Sequence, residues 1–543
     1  MHINVSSYLS VQAERNPDSS ALCFASKDKS HKDTSYDRLS FKELEAATSA
    51  QAHYFDALGI SEGTRVLMMV RPGIDLIQIV FSLLKIGAIP VVIDPGMGLS
   101  NFFKCAHRSK VSVIIGEPIA TTAALFYRKS TAEVQLKITI DSKFKKRVQM
   151  FQGLGTYKAF ASNRDDLAAI LFTSGSTGSA KGVRYTHGIF SAQIELIQKQ
   201  YGIQAGEVDC PMLPVFALFN PAMGMCTVVP EMNPSRPAKV NPRKIVQSIL
   251  DNQVTNSFGS PAIWARIVRY CEAEGITFPS LKRVIMAGAP APQDLLIRLK
   301  KLLPAGEIFT PYGATEALPV SSISATDILE KQSGAFALGR KGICVGRPFP
   351  SIKVKIIEVL EGEISSIDQL EVSKVGSIGE IIVSGPSVTK SYDQLETETK
   401  LSKIKDGPVV WHRMGDLGWI DETGNLWFCG RKAERVKTPK GYLETTCCEA
   451  IFNQLESVAR SALVDLGGGT PGIIIEPELG WFPKSASEKK TFVAELRKLA
   501  LNDSDTRMIE HFYFEKNFPV DIRHNAKIHR LSLAKKWSAK HQA

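Results

Sequence analysis

Several features that would set a chain apart from ordinary globular enzymes are missing here. The first twenty residues lack the charged start and apolar run of a signal peptide. The most apolar region, 76–93, is interrupted by a glutamine, a lysine and a proline, so it predicts a buried helix, a turn and a strand rather than a membrane span. The nine cysteines form no CxxC pair, no zinc spacing and no disulfide framework. These absences predict a protein of the reducing cytoplasm.

Acidic residues are fewer than basic ones. The 543 residues include 66 Lys and Arg against 55 Asp and Glu, which gives a formal charge of +11. A basic surface could meet nucleic acid, anionic lipid or an acidic partner. No RNA-binding signature with interleaved aromatic residues occurs, so the sequence predicts no nucleic-acid partner. A solvated surface around a site for a polyanion explains the charge better.

The apolar pattern predicts a layered α/β fold. Strand-like runs at 66–70, 111–115, 168–172 and 283–286 alternate with leucines and isoleucines at helical spacing, which is typical of largely parallel sheets. From about Ile352 the pattern becomes hairpin-rich and antiparallel, and after Gly430 a small mixed unit follows. We predict a large N-terminal domain of layered α/β sheets (1–430) with a β-rich subdomain at about 350–430, and a small mobile α+β C-terminal domain (431–543).

The string LFTSGSTGSAKGV, 171–183, predicts a phosphate-binding loop. A buried strand leads into hydroxyl residues and glycines, whose backbone N–H groups can approach a polyanion, and a helix pattern follows. Lys181 adds a mobile charge, but Ala180 and Gly182 beside it exclude the Walker pattern. The alternative is a solvent-exposed turn. The candidate ligands are Thr173, Ser174, Gly175, Ser176, Thr177, Gly178 and Lys181.

A second string, PYGATEALP (311–319), combines a flat aromatic ring, a hydroxyl and a carboxylate. Tyr312 offers a face to a purine, and Thr315 offers a hydroxyl group. Glu316 is the hard oxygen ligand that Mg²⁺ prefers. The alternative is an ordinary helix start. Upstream lies MAGAP, 286–290.

Together with HRMGDLGWID (412–421), GRKAERVK (430–437) and FPVDIRHNAKIHR (518–530), these strings resemble the motifs of the adenylate-forming superfamily, in the order that the superfamily keeps. It includes acyl-CoA synthetases, luciferases and the adenylation domains of peptide synthetases. The resemblance covers nearly the whole chain. It implies that ATP, with Mg²⁺, activates a carboxylic acid to an acyl-adenylate and pyrophosphate.

The resemblance also implies roles for individual residues. Tyr312 would stack on adenine, Thr315 would contact the α-phosphate, and Glu316 would hold Mg²⁺. Asp416 and Arg431 would bind the ribose hydroxyls. Gly288, Ala289, Pro290 and Gly313 would line the adenine. Lys432 would mark the hinge between the domains, and Lys527 would neutralise charge where the carboxylate meets the α-phosphate. The implied catalytic set is Thr173, Lys181, Glu316 and Lys527. His187, after the loop, is as consistent with a structural role as with a catalytic one.

The type of acid is indicated by finer features. Thr438, Pro439 and Lys440 stand where acyl-CoA synthetases usually keep a glycine pair, which makes a narrow thiol channel doubtful. MNPSRPAKVNP (232–242), with PYGATEALP and FPVDIRHNAKIHR, resembles the olefin-pathway β-lactone synthetases. This implies a 2-alkyl-3-hydroxy fatty acid whose own hydroxyl closes a β-lactone with loss of AMP. The alternatives are an acyl-CoA synthetase or fatty acyl-AMP ligase, and a non-catalytic nucleotide-binding scaffold.

A lipidic substrate requires a dry, apolar pocket. Its candidate walls, each of which could equally be core packing, are Phe216, Phe219, Met223, Met225, Trp264 and the loop 259–261. The sequence predicts a small-molecule partner, the fatty hydroxy acid, and no transmembrane segment. Peripheral association with a membrane or with a pathway enzyme stays open.

Overall fold

The computed structural model describes residues 3–26, 35–173, 180–212, 218–233, 239–337, 341–520 and 528–542. The strands are Ser20–Ala25 (β1), Tyr36–Ser40 (β2), Arg65–Met69 (β3), Ile89–Val92 (β4), Val113–Gly116 (β5), Leu136–Thr139 (β6), Leu167–Phe172 (β7), Gly182–Thr186 (β8), Val208–Asp209 (β9), Cys226–Val229 (β10), Asn256–Gly259 (β11), Arg283–Met286 (β12), Glu307–Ala314 (β13), Ala317–Ser324 (β14), Ile343–Pro348 (β15), Lys353–Ile357 (β16), Gly379–Ser384 (β17), Lys403–Asp406 (β18), Val409–Ile420 (β19), Leu426–Arg431 (β20), Val436–Thr438 (β21), Gly441–Leu443 (β22), Val458–Asp465 (β23), Pro471–Pro477 (β24) and His511–Phe514 (β25). The helices are Ser7–Arg15 (α1), Phe41–Ala57 (α2), Ile74–Lys85 (α3), Leu99–Arg108 (α4), Pro118–Phe126 (α5), Ser142–Gln149 (α6), His187–Tyr201 (α7), Pro242–Asp251 (α8), Pro261–Glu274 (α9), Gln293–Leu302 (α10), Ala325–Ala337 (α11), Glu396–Ser402 (α12), Thr445–Phe452 (α13), Ala486–Leu501 (α14) and Arg530–Gln542 (α15).

The first sheet has the order β6-β5-β3-β4-β7-β8 and is parallel except for the β7–β8 pair. Its inner strands β3 and β5 are short apolar runs buried on both faces, as parallel sheets covered by helices require. The helix, turn and strand predicted in the region 76–93 are confirmed as α3, a turn at Gly87 and β4.

The second sheet joins two regions that the sequence pattern separated. Its order is β16-β17-β19-β20-β15-β14-β13-β12-β11-β9-β10-β1-β2, and β18 pairs with β19. The strands from β13 to β1 in this order are parallel, and those from β14 to β16 are antiparallel. The hairpin β13–β14 reverses the chain direction, so the antiparallel strands continue the same sheet.

The segment after the predicted phosphate loop differs from the prediction. A helix was expected directly, but β8 comes first and returns antiparallel to β7. In β8 Val183 and Tyr185 are buried, and Arg184 between them is half-buried. The side chain of Thr186 then caps α7 by accepting a hydrogen bond from the backbone N–H of Ile189 at 3.3 Å. The predicted helix is therefore present, one strand later.

The small C-terminal domain is built on a three-stranded sheet. Strand β23 is antiparallel to β24, and β25 is parallel to it. Helices α13 and α14 contribute Phe452 and Leu496 to its core. Gly430, at the end of β20, adopts a φ of +136° and lies against the side chain of Thr445 on α13, which leaves no room for a β-carbon.

Two further observations concern the cysteines and the length of the helices. All nine cysteines are free and buried. Within the described ranges, no helix combines the length and apolarity that crossing a bilayer would need.

Candidate active site

The carboxyl ends of three parallel strands form one wall of the site. The backbone N–H of Ala287, after β12, donates to the carbonyl of Gly259, at the end of β11, at 3.1 Å. In the register of β12 and β13, Ile285 pairs with Phe309. The loop carrying Gly288, Ala289 and Pro290 therefore follows its strand alongside the segment that leads to Tyr312.

A tight hairpin carries the residues of the second string. Thr315 and Glu316 form the turn between β13 and β14, so the alternative of an ordinary helix start is wrong. The two strands approach so closely that a β-carbon on Gly313 would lie 2.7 Å from the carbonyl oxygen of Ala317. The hydroxyl of Tyr185, on β8 of the first sheet, donates to the carbonyl of Thr315 at 2.5 Å. This bond ties the hairpin to the strand that follows the predicted phosphate loop.

Tyr312, Asp416 and Arg431 make direct contact, and we call them the Asp416 cluster. The Tyr312 hydroxyl donates to Oδ2 of Asp416 at 2.5 Å, and Nε of Arg431 lies 3.1 Å from Oδ1. Asp416 and Arg431 are cross-strand neighbours on β19 and β20, which places their side chains together. A carboxylate has about four acceptor positions, so Asp416 can accept further hydrogen bonds.

Arg431 and Tyr312 keep their protonated forms around neutral pH. Asp416 raises the pKa of the Arg431 guanidinium above its ordinary value, so Arg431 stays a cation. Burial, with the nearby Asp416 carboxylate, raises the pKa of Tyr312 well above its ordinary value, so its hydroxyl stays a donor.

Glu316 is held by residues that the sequence did not single out. Its Oε1 accepts a hydrogen bond from the Tyr392 hydroxyl at 2.8 Å. Its backbone carbonyl accepts from the N–H and the hydroxyl of Thr389, both at 2.9 Å. The carbonyl of Thr389 in turn accepts from Nζ of the buried Lys403 at 2.5 Å. Tyr392 lies 76 residues from Glu316 along the chain, and no local motif marks it.

The ring of Tyr392 connects Glu316 to the loop after β7. Nζ of Lys181 lies 5.0 Å from the ring centroid, and Nζ of Lys403 lies 5.9 Å from it. The backbone N–H of Thr173 donates to the carbonyl of Lys181 at 3.0 Å, which closes the base of the loop. We call Lys181, Glu316, Thr389, Tyr392 and Lys403 the Glu316 cluster.

The Glu316 cluster contains a buried cation whose charge depends on pH. Burial lowers the pKa of Lys403 from 10.5 to about 7, against the opposing effect of the Glu316 carboxylate. His412 is its cross-strand neighbour, and its Nδ1–H donates to the carbonyl of Ser402 at 3.1 Å. Burial, with Lys403 as a second cause, lowers the pKa of His412 well below its ordinary value. His412 is therefore neutral at pH 7.

Not every predicted site residue can be placed. Lys527, Phe216 and the loop residues Ser174, Gly175, Ser176, Thr177 and Gly178 lie outside the described residues. One chain of contacts runs from Arg431 and Asp416 through Tyr312 and the hairpin turn to Glu316, and then through Tyr392 to Lys181 and Thr173. Gly288, Ala289 and Pro290 lie on the loop after β12. The roles assigned to them stay predictions.

His187 and Lys432 hold the framework together. His187 is buried, and its Nδ1 accepts a hydrogen bond from the backbone N–H of Val5 at 3.1 Å. Burial lowers the pKa of His187 to about 4. This geometry favours the structural reading of His187. Nζ of Lys432 lies 3.3 Å from Glu380, where the chain leaves β20 for the small domain.

An aromatic row leads away from the hairpin turn. The ring of Tyr185 stacks on Phe190 with centroids 5.0 Å apart, and Phe190 lies 6.0 Å from the half-buried Phe219. Of the other candidate pocket walls, Met225 and Trp264 are fully buried and Met223 is nearly so, so core packing accounts for them.

The side chains of the site fit a nucleotide whose phosphates supply most of the ligands of a bound metal ion. Among the described residues, no group of three or more His, Cys, Asp or Glu is placed to hold a metal by protein ligands alone. Mg²⁺ usually takes one or two carboxylates and completes its shell with waters and substrate phosphates. Glu316 can supply such a carboxylate, because the hydrogen bond from Tyr392 fixes its orientation through Oε1 alone.

Comparison with known proteins gives one consistent family. Residues 9–393 match the family described as AMP-binding enzyme. The chain is 37% identical to the olefin beta-lactone synthetase of Stenotrophomonas maltophilia strain K279a, over 98% of this chain and 97% of the relative. It is 38% identical to the olefin beta-lactone synthetase of Xanthomonas campestris pv. campestris, over 99% and 97%. Among solved structures, the anthranilate CoA ligase AuaEII in complex with anthranoyl-AMP superposes with a TM-score of 0.80 at 16% identity, over 100% of this chain and 99% of that chain.

Proposed function

The chain belongs to the AMP-binding enzyme family, and from that premise we propose that it is a β-lactone synthetase of olefin biosynthesis. It activates a long-chain 2-alkyl-3-hydroxy acid with ATP, and the 3-hydroxyl of the same molecule then closes a β-lactone. The observation that carries the proposal is the near full-length similarity, at 37% and 38% identity, to two curated olefin beta-lactone synthetases.

In the first step a carboxylate oxygen of the acid attacks the α-phosphorus of ATP, and pyrophosphate leaves. Tyr312, Asp416 and Arg431 hold the adenosine, while Thr173, Thr315 and Lys181 face the phosphates. Mg²⁺, bound through Glu316, would offset the charge on the phosphates. Lys527 neutralises the charge that develops between the carboxylate and the α-phosphate, a preorganised electrostatic effect that typically dominates such steps.

In the second step the 3-hydroxyl oxygen attacks the acyl carbon, and the bond from that carbon to the phosphate oxygen breaks. AMP leaves with the electron pair of that bond, and the hydroxyl proton is released to solvent. Because the nucleophile is part of the substrate, no second binding event is required. The aromatic row Tyr185, Phe190 and Phe219 would help to keep water from the mixed anhydride.

The domain arrangement and the compartment belong to the same proposal. We place the boundary near Arg431, with a β-rich subdomain at about 350–430 and a mobile small domain at 431–543. Nine free and buried thiols support a reducing compartment such as the cytoplasm.

An acyl-CoA synthetase or acyl-AMP ligase is the second candidate, because the fold is also that of a CoA ligase. One local feature weakens it. The turn between β21 and β22, past the proposed hinge, carries the exposed Pro439 and Lys440 where such enzymes usually keep glycines. The third candidate, a non-catalytic scaffold, predicts no pyrophosphate exchange.

The deciding experiment supplies ATP, Mg²⁺ and a 3-hydroxy-2-alkyl acid, with and without CoA, and analyses the products by mass spectrometry. The proposal predicts a product lighter than the acid by one water, formed equally without CoA, with one AMP released per turnover. A matched acid without the 3-hydroxyl should support pyrophosphate exchange but yield no lactone. A product that appears only with CoA and carries it would contradict the proposal.

A further inference from the structure

Helix α5 exposes large apolar side chains. A surface helix normally turns its apolar face to the core. In α5 the side chains turned inward are Thr121 and Ala124, whereas Ile119, Leu125 and Phe126 are 79%, 52% and 81% exposed. Three large apolar side chains thus face outward from a helix of nine residues.

The inward side of α5 is firmly attached, so the exposure is not a product of loose packing. The hydroxyl of Thr121 lies 3.0 Å from that of Thr139 on β6, within hydrogen-bond distance. Directly after the helix, the ring of Tyr127 stacks on Phe103 of α4, with centroids 4.6 Å apart. These contacts fix which face of the helix looks outward.

The position of α5 leaves its outer face open. In the described part of the chain, strand β6 lies at the edge of the first sheet and pairs with β5 alone, and α5 connects these two strands. The helix begins two residues after β5 ends at Gly116. Because β5 and β7 lie parallel in one sheet, this is also the end at which β7 leads into the predicted phosphate loop.

The rim of this face is basic. Arg128 and Lys129 follow the helix, and Lys137 lies on β6; all three are exposed and none forms an ion pair among the described residues. The nearby acidic residues are Glu117, which pairs with Arg71 at 2.5 Å, and the exposed Glu133. The rim is therefore net positive, as is the whole chain.

Exposed apolar side chains next to basic ones match the interface of an anionic bilayer, where apolar groups enter the headgroup region and Lys and Arg meet lipid phosphates. We propose that this face docks on an anionic membrane surface. The α5 surface, as we define it, consists of Ile119, Leu125, Phe126, Arg128, Lys129 and Lys137. The exposure of these apolar and basic side chains does not depend on the proposed function. The reason for the protein to contact lipid does rest on it, because an acid with two alkyl chains partitions into bilayers.

The test is sedimentation of the purified full-length protein with liposomes of phosphatidylcholine, with or without phosphatidylglycerol. We expect binding to the anionic liposomes at least about 10-fold stronger than to the neutral ones, because three basic residues together contribute on the order of 10²-fold. The triple variant Ile119→Gln, Leu125→Gln, Phe126→Gln should lose at least about 10-fold in binding. The triple variant Arg128→Gln, Lys129→Gln, Lys137→Gln should lose the preference for anionic lipid.

A matched control uses Leu479→Gln, an apolar residue that is fully exposed on the small domain, and it should bind as the wild type does. Thermal unfolding and pyrophosphate exchange with a water-soluble acid should be unchanged in the α5 variants. Absence of liposome binding by the wild type, or equal binding by the triple variants, would overturn the proposal. So would light scattering that shows a wild-type dimer which the apolar variant loses, because the face would then bind a second copy. Exchange activity is read separately, so a failure of the proposed function is distinguishable.

Discussion

In the Asp416 cluster an arginine forms an ion pair with a buried carboxylate, whereas in the Glu316 cluster a buried lysine donates a hydrogen bond to a backbone carbonyl. Both clusters attach a tyrosine hydroxyl to a carboxylate, at 2.5 Å in the first and 2.8 Å in the second. They differ in how the cation is neutralised. Nε of Arg431 lies 3.1 Å from a carboxylate oxygen of Asp416. Among the described residues, Nζ of Lys403 instead donates to the carbonyl and hydroxyl oxygens of Thr389.

The difference has a physical consequence. An ion pair keeps both of its members charged over a wide pH range, so the Asp416 cluster should recognise its ligand equally well on either side of neutrality. A buried ammonium without a paired carboxylate loses its proton readily. The Glu316 cluster should therefore change its charge close to pH 7.

The largest expected effect comes from removing the lysine to which the proposed mechanism assigns charge neutralisation at the α-phosphate. Lys527→Ala should slow adenylation by roughly 10²- to 10³-fold, because an uncompensated charge then develops at the α-phosphate. Pyrophosphate exchange at saturating ATP measures it. Lys535→Ala, which changes an exposed lysine of α15, is the control. An unchanged exchange rate in Lys527→Ala would remove this lysine from the mechanism.

The next effect tests the Asp416 cluster. Asp416→Asn leaves Arg431 without its counter-charge and replaces a charged acceptor by a neutral one, a loss of about 1.5–3 kcal/mol. We expect KM for ATP to rise by roughly 10- to 100-fold with a smaller change in kcat. Asp18→Asn, at an exposed position, should behave as wild type. A fall in kcat at constant KM would show that Asp416 does not bind the nucleotide ground state.

A smaller effect tests how Glu316 is oriented. Tyr392→Phe removes the 2.8 Å hydrogen bond to Oε1 but keeps the ring against Lys181. The loss of one bond to a charged acceptor should slow adenylation by about 5- to 10-fold and raise the Mg²⁺ concentration for half-maximal pyrophosphate exchange. The same change at the exposed Tyr442 should leave both quantities unaltered. If Tyr392→Phe keeps the Mg²⁺ dependence of wild type, the tyrosine does not position the metal ligand.

The sequence could predict the elements of the fold because their signals are local. The apolar run at Arg283–Met286 coincides with β12, and the run at 168–172 coincides with β7 to within one residue, since each is a short apolar segment with a clear end. The short strand β8 was missed, because its alternation spans only five residues next to a strong helix pattern. The continuity of the second sheet was missed as well, since it depends on the pairing of Ser321 with Pro348, between strands that the chain separates by helix α11.

The residues of the candidate site were likewise predicted only where their signal in the sequence is local. Tyr312 and Glu316 were predicted because they lie in a compact string whose residue types match the chemistry, and Asp416 was predicted because its string resembles a motif of the superfamily. Tyr392 and Lys403 carry no local signal, because what matters about them is burial and a contact made far along the chain. A lysine in the alternating strand KIKD looks like an exposed residue until the fold buries it. Residues that position others are therefore the part of a site that a single sequence reveals least.

The smallest effect, and the sharpest test of the contrast between the clusters, is the pH dependence of stability. The folded-state pKa of Lys403 is about 7 against an ordinary 10.5, so the unfolded chain binds the extra proton between these values. Burial of the charged Lys403 therefore lowers the free energy of unfolding by its full amount below about pH 7, and by progressively less as the pH rises towards 10.5. From pH 7.5 to 9, the free energy of unfolding of wild type should therefore rise relative to Lys403→Met, by at most about 1.4 kcal/mol per pH unit. Urea unfolding at several pH values measures this difference, and Lys405→Met, two residues away and exposed, should run parallel to wild type. Parallel curves for Lys403→Met would mean that the ammonium is solvated, and the two clusters would then not differ in how they hold charge.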